Sequence, residues 1–157
     1  MSSRLELRGV HTHYETSHIL FDVSLEVNQG ESVCLLGRNG AGKTTTLKSI
    51  MSLAPASAGS IRFNGVDLIG RAPYEIARLG IGYTPDERLI FPDLTVRENL
   101  EIAIKPGAAG APAHWTLERI YELFPVLVPL DARLGGYLSG GEQQMLTIGR
   151  TLMGNPS

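Results

Sequence analysis

The chain has 157 residues, 43% of them hydrophobic, a formal net charge of -2 and a single cysteine. That length and apolar content suffice for one domain with a real core. The small net charge provides no global field to draw in nucleic acid or an acidic membrane, so any bound anion must be held by local geometry. Cys34 has no partner for an intrachain disulfide, which fits a reducing compartment, and its place in Val33-Cys34-Leu35-Leu36 predicts a buried core thiol. MSSRLELRG has no signal region, and no apolar stretch nears the ~20 residues of a membrane helix, so a cytosolic, soluble chain is expected.

In chain order, Leu5-Glu6-Leu7 and then Ile19 to Val27 alternate or cluster apolar residues as strands do, with the turn NQG after them. Ser32 to Leu36 reads as a short, fully buried strand. From Lys43 the period becomes helical, with Leu47, Ile50, Met51 and Ala54 on one face. PASAGS is expected to end that helix, and Ile61 to Phe63 to form a strand before the turn Asn64-Gly65. Pro73 and Gly80 bracket a short helix, and Ile81-Gly82-Tyr83 reads as another buried strand.

Thr95-Val96-Arg97-Glu98 has the spacing of a capping box, so a helix is expected to start there and run to about Pro106. The stretch 106–113 reads as a linker. Leu117, Ile120, Tyr121 and Phe124 predict a further helix stopped by Pro125. Ser139-Gly140-Gly141-Glu142 is a second capping box, opening a helix with Met145, Ile148 and Leu152 on its apolar stripe, and 154–156 stop it. Strands first and strand–loop–helix units after them predict an α/β domain with an antiparallel β piece in front.

Gly37-Arg38-Asn39-Gly40-Ala41-Gly42-Lys43-Thr44 fits the phosphate-binding loop G-x-x-x-x-G-K-[ST] at every fixed position. Glycines permit positive φ and let backbone N–H groups approach an anion closely. Successive N–H groups form a concave nest, to which the following helix adds its positive end. Lys43 supplies a compact charge to the terminal phosphates, Thr44 a hydroxyl to Mg²⁺, and Thr45 a donor to an inner phosphate. A ligand-free glycine turn is the bland alternative; the apolar segment before the loop and the periodic helix after it weigh against it.

Leu138-Ser139-Gly140-Gly141-Glu142-Gln143-Gln144 resembles the signature sequence of ABC-type ATPases. By itself it is only a capped helix start; placed downstream of the phosphate loop with a helical insert between, it carries the resemblance. A helix start whose Gly140 and Gly141 have no side chains leaves N–H donors open to a γ-phosphate. The resemblance implies the fold: an α/β P-loop NTPase of ABC ATPase type with an N-terminal antiparallel β piece, a helical insert and a truncated core sheet. It implies a division into a β piece with P-loop core (1–100), a helical insert (101–137) and a signature helix (138–157). It further implies ATP and Mg²⁺ as ligands, with the signature residues Ser139, Gly140, Gly141 and Glu142 acting in trans on ATP held by a second ABC subunit in a head-to-tail dimer.

The likeness runs the length of the chain. Tyr14 stands where ABC domains place the aromatic that stacks on adenine, the alternative being an ordinary strand-edge tyrosine. His11, His13 and His18 nearby read as surface residues rather than metal ligands. Asp86 occupies the position of the usual Q-loop glutamine, where an aspartate could bind Mg²⁺ directly or accept from metal-bound water; otherwise it is a surface-loop acid. RLIFPDLTVRENL and LSGGEQQMLTIGR look most like ATP-binding subunits of bacterial branched-chain amino acid importers. This implies docking to transmembrane permease subunits, with Phe91 and Leu94 as contacts unless they are core. It also implies a periplasmic binding protein as an indirect partner, no nucleic-acid partner, and a place on the inner face of the cell membrane.

The family pattern continues beyond RTLMGNPS into a strand ending in Asp-Glu and, later, a histidine. The chain is therefore expected to be the N-terminal part of such an ATPase, not hydrolytic alone, and to self-associate or lose order after about residue 135. A soluble ABC-type ATPase unconnected with transport, or a nucleotide-responsive interaction module without turnover, are the alternatives.

Overall fold

The computed structural model describes residues 3–105 and 114–157; the expected linker at 106–113 lies outside them. Two compact units divide the chain, Met1–Leu79 and Gly80–Ser157.

The first unit is built on an antiparallel sheet of four strands, β1 (Ser3–Tyr14), β2 (Ser17–Asn28), β3 (Ala56–Phe63) and β4 (Val66–Asp67), in the order β2-β1-β3-β4. Leu7, Val10, Leu20, Ile61 and Phe63 are buried; Ile61 and Phe63 alternate as strand residues do, and a shift of register between Leu7 and Val10, at left-handed Gly9, accounts for their odd spacing. β3 begins earlier than Ile61, because the small residues of ASAGS let it lie close against β1. At Gly59 (φ 92°) a Cβ would come within 2.3 Å of the Gly9 carbonyl oxygen, so only glycine fits there. The expected turn Asn64-Gly65 joins β3 to β4, with φ of 48° and 79°.

Helix α1 (Lys43–Ile50) follows the glycine loop, and α2 (Pro73–Arg78) begins at its proline. Of the helix face expected from the sequence, Ile50, Met51 and Ala54 are buried but Leu47 is 43% exposed. Ser52 turns left-handed (φ 54°) and the Leu53 N–H closes onto the Lys48 carbonyl at 2.8 Å, so α1 stops before the face is complete.

Two expected strands do not form. Residues 32–36 and 81–83 carry no ladder, and Cys34 is exposed rather than buried. Val33 and Leu36 are 45% and 88% exposed. Apolar character favours burial, but a strand needs at least one neighbour to bond its backbone groups. Among the described residues no strand pairs with either stretch.

The second unit is helical: α3 (Val96–Glu101), α4 (Leu117–Leu123) and α5 (Gly140–Met153), with 3₁₀ turns at Pro125–Leu130 and Gly135–Tyr137. Thr95 caps α3 as expected, its hydroxyl accepting from the Glu98 N–H (3.2 Å) while the Glu98 carboxylate accepts from the Thr95 N–H (2.8 Å). α3 ends well before Pro106, because the N–H groups of Ala103 and Ile104 close three residues back and that of Lys105 donates to Met153 at the end of α5. Val96, Leu100, Ile120, Leu127, Leu138, Leu146 and Met153 form one core. The buried stripe of α5 runs through Leu146, Thr147, Gly149 and Met153, with Met145 and Leu152 flanking it. A Cβ on Gly149 would sit 3.0 Å from Leu100 and 3.1 Å from Ile120, so this glycine lets three helices meet. α5 extends past residue 135, the point after which loss of order or self-association is expected from the sequence.

Candidate functional site

The predicted site residues fall into two groups, one in each unit. In the first, Gly37 to Ala41 are exposed, Gly42 is buried at the N-cap of α1, and Thr45 and Thr46 are buried beneath the loop. Gly40 and Gly42 take φ of 83° and 86°, which side-chain-bearing residues rarely adopt. Gly42 is also sterically fixed: a Cβ there would lie 2.7 Å from Leu20 of β2.

A turn closed by the Ala41 N–H on the Arg38 carbonyl (3.1 Å) shapes the loop. Lys43 curls back over it, donating to the carbonyls of Gly37 and Arg38 at 2.9 Å each. The N-cap of α1 receives no side-chain hydrogen bond and its first turn has no acidic residue. The positive end of this helix therefore faces the loop without a carboxylate of its own. A cation held over the loop by two carbonyls, beside an uncapped helix start, suits an anion with several oxygens.

Tyr14 lies at the tip of the β1–β2 hairpin, paired with Ser17 and 44% exposed. The neighbouring histidines form a cluster that their sequence spacing does not reveal. His11 Nδ1 and His18 Nε2 are 3.0 Å apart, His13 stacks on His18 with ring centres at 4.0 Å, and Phe21 covers the other side at 3.8 Å. Burial, then the charge of His13, lowers the pKa of His18 below its ordinary value. Among the described residues, no group of three or more such side chains is arranged to hold a metal ion.

In the second unit Ser139 caps α5, its hydroxyl accepting from the Glu142 N–H (3.4 Å) while the Glu142 carboxylate accepts from the Ser139 N–H (2.7 Å). That bond, with the Ser139 hydroxyl, holds the Glu142 carboxyl below its ordinary pKa. Gly141 has open space around its Cα, whereas a Cβ on Gly140 would lie 2.6 Å from the guanidinium of Arg88. Asp86 is exposed, two residues before Arg88. Arg88 was not singled out in the sequence; its contact depends on a left-handed backbone (φ 48°) that no local pattern announces.

Phe91 is 44% exposed and lies under the Arg150 guanidinium, 4.5 Å from its ring centre. Its backbone is tied down by buried Asn99, which accepts from the Phe91 N–H and donates to the carbonyls of Phe91, Leu94 and Thr95 at 2.9–3.0 Å. Thr44 and Asp86, the two candidate metal ligands, both offer hard oxygen, the donor type Mg²⁺ takes. Each belongs to a different unit. No helix among the described residues is long and apolar enough to cross a membrane.

A family model described as ABC transporter matches residues 20–157. The chain is 42% identical over 97% of its length to the high-affinity branched-chain amino acid transport ATP-binding protein BraG of Pseudomonas aeruginosa, and spans 65% of that relative. It is 38% identical over 91% of its length to the lipopolysaccharide export system ATP-binding protein LptB of Escherichia coli, spanning 60% of it. A solved structure described as an ATP-binding cassette of an ABC transporter superposes with a TM-score of 0.76 at 27% identity, covering 99% of this chain and 67% of that one.

Proposed function

Since the chain belongs to the ABC transporter family, we propose that it is the ATP-binding portion of a subunit that energises transport, with branched-chain amino acids or related amides as the solute and import as the direction. The observation that carries the nucleotide reading is the loop at Gly37–Thr45: an uncapped helix start behind positive-φ glycines, with Lys43 folded over it. The similarity to BraG supports the solute, and that to LptB is the reason solute and direction need their own test.

In this reading the backbone of Gly37 to Gly42, with Arg38, Asn39 and Ala41 between the glycines, holds the phosphates. Lys43 exchanges the two loop carbonyls for phosphate oxygens, and Thr45 donates to an inner phosphate. Tyr14 stacks on the base. Thr44 and Asp86 are the oxygen donors that would hold Mg²⁺, which would offset the charge of the phosphates. Ser139, Gly140, Gly141 and Glu142 present a second helix start to the nucleotide of a partner subunit in a head-to-tail dimer. The division at 100 and 137, docking on permease subunits through Phe91 and Leu94, and a position on the inner face of the membrane belong to the same proposal. ATP hydrolysis is proposed for the whole protein. Within residues 1–157 no apolar run ending in Asp-Glu follows the signature.

Calorimetric titration of the intact protein with MgATP tests the nucleotide reading. Lys43→Ala is expected to weaken binding about a hundredfold or more, and unchanged affinity would remove the loop as the anchor. For the solute, ATPase activity is expected to rise on reconstitution with the cognate permease and a branched-chain amino acid-loaded binding protein. A rise on lipopolysaccharide instead would reassign it.

A further inference from the structure

A buried rung of the β1–β2 hairpin grips α1 at two points. Thr12 of β1 and Leu20 of β2 are directly opposed. The Thr12 hydroxyl lies 2.8 Å from the Ser49 hydroxyl on α1, with Thr12 0% and Ser49 2% exposed. Leu20, 2% exposed, fills the space where Gly42 would carry a Cβ. One contact is at the N-cap of α1 and the other near its C-terminal end. Two contacts far apart along a rigid rod fix both the height and the rotation of the hairpin over the helix.

The choice of residues is informative. Packing alone would be served by an apolar pair in place of Thr12 and Ser49, since two hydroxyls lose water on burial and recover it only by bonding to each other. What the polar pair adds is direction and a fixed length. Thr46, on the adjoining turn, spends its hydroxyl on the Gly42 carbonyl at 2.9 Å, whereas the Ser49 hydroxyl reaches β1. Two residues on from Thr12, past a shift of register between Thr12 and His13, the strand reaches Tyr14 at the hairpin tip, paired with Ser17 and 44% exposed. His13, between them, stacks on His18 and lies 3.0 Å from the Ser57 hydroxyl.

We propose that the Thr12–Leu20 rung is a spacer that sets the separation between Tyr14 and the phosphate loop, and so makes Thr12 and Ser49 positioning residues for recognition of the nucleoside end of the ligand. This rests on the reading of Tyr14 as the base-stacking group. The ligand class it selects is a purine nucleoside triphosphate whose base and phosphates must be engaged together; inorganic tripolyphosphate, which has no base, is indifferent to the spacing.

The test compares MgATP with magnesium tripolyphosphate by calorimetry on the intact protein. Thr12→Val, which keeps shape and loses the hydroxyl, is expected to weaken ATP about tenfold and tripolyphosphate by less than about twofold. Thr12→Ser, which keeps the hydroxyl, is expected to restore the ATP preference. Ser49→Ala breaks the same bond from the helix side and must reproduce the split, so the result does not depend on one variant folding. Equal weakening of both ligands, a change in melting temperature alone, or no change overturns the proposal. Tyr14→Ala separates the two ways of failing. If it reduces ATP preference while Thr12→Val and Ser49→Ala do not, the spacer falls and base stacking stands. If it leaves the preference intact, base stacking falls and takes the spacer with it.

Discussion

The two glycine-led helix starts in this chain are finished in opposite ways. α5 closes itself: Ser139 and Glu142 satisfy each other's N–H groups, a carboxylate sits on the positive end of the helix, and the guanidinium of Arg88 lies against Gly140. α1 has no side-chain cap and no acid in its first turn, and its N-cap is a glycine at φ 86°. A start that supplies its own anion is stable alone, whereas one without it leaves donors and dipole for something from outside. The same element type, with a glycine at or next to its cap in both places, is thus closed by its own side chains in one unit and left open in the other.

Substitutions at the two starts should separate them. The largest effect on stability is expected for Gly42→Ala, which forces a Cβ into a left-handed backbone and onto Leu20; chemical denaturation should show a loss of about 2–4 kcal/mol. If that variant were as stable as the parent, the tight seat of β2 on the loop would be wrong. Ser139→Ala should cost about 1 kcal/mol by the same measurement, the usual worth of a helix cap. Gly141→Ala, with open space around it, should leave stability unchanged or raised by up to about 1 kcal/mol, while impairing ATP-driven dimerisation of the intact protein. A destabilised Gly141→Ala would mean that the signature glycine is there for folding.

The smallest effect is expected at the hairpin tip and is visible only with pH. The folded pKa of His18 lies below its ordinary value of 6.5, so between the two the unfolded chain binds more protons. Its contribution is unchanged above the ordinary value, and stability falls as pH drops below it. The groups that act on it are His13 of β1, the Leu20 backbone of β2 and His11 of β1; the flanking Glu15 and Asp22 are not among them. His18→Gln should flatten the difference between urea midpoints at about pH 7.5 and about pH 5.5. An undiminished difference would place the acid sensitivity elsewhere.

Features written in a few adjacent residues were legible before the fold was known. Both capping boxes, the Asn64-Gly65 turn and the proline start of α2 each depend on contacts within about four positions, and the glycine-loop pattern on eight consecutive residues. What the chain order hides is the neighbour. Val33-Cys34-Leu35-Leu36 has the composition of an inner strand, but composition does not supply the strands that would bond to it, and Cys34 ends up exposed. The early start of β3 depends on Gly59 meeting Gly9, and the early end of α3 on Lys105 meeting Met153. At the candidate site, the Gly37 to Thr45 pattern is visible from spacing alone, and its role is a proposal. Leu20, Thr12, Ser49 and Arg88 are not visible in that way, because each acts through a partner tens of residues away.

Asn99 has a mechanical consequence. By holding four backbone groups of residues 91–95 at once, it removes the slack that a surface loop ordinarily has. Arg150 clasps the same loop from the other side, over the Phe91 ring and onto the Leu89 carbonyl. A load on Phe91 would therefore not be absorbed where it lands but would pass to α3, which carries Asn99, and to α5, which carries Arg150; Leu100 of α3 packs against Gly149 of α5.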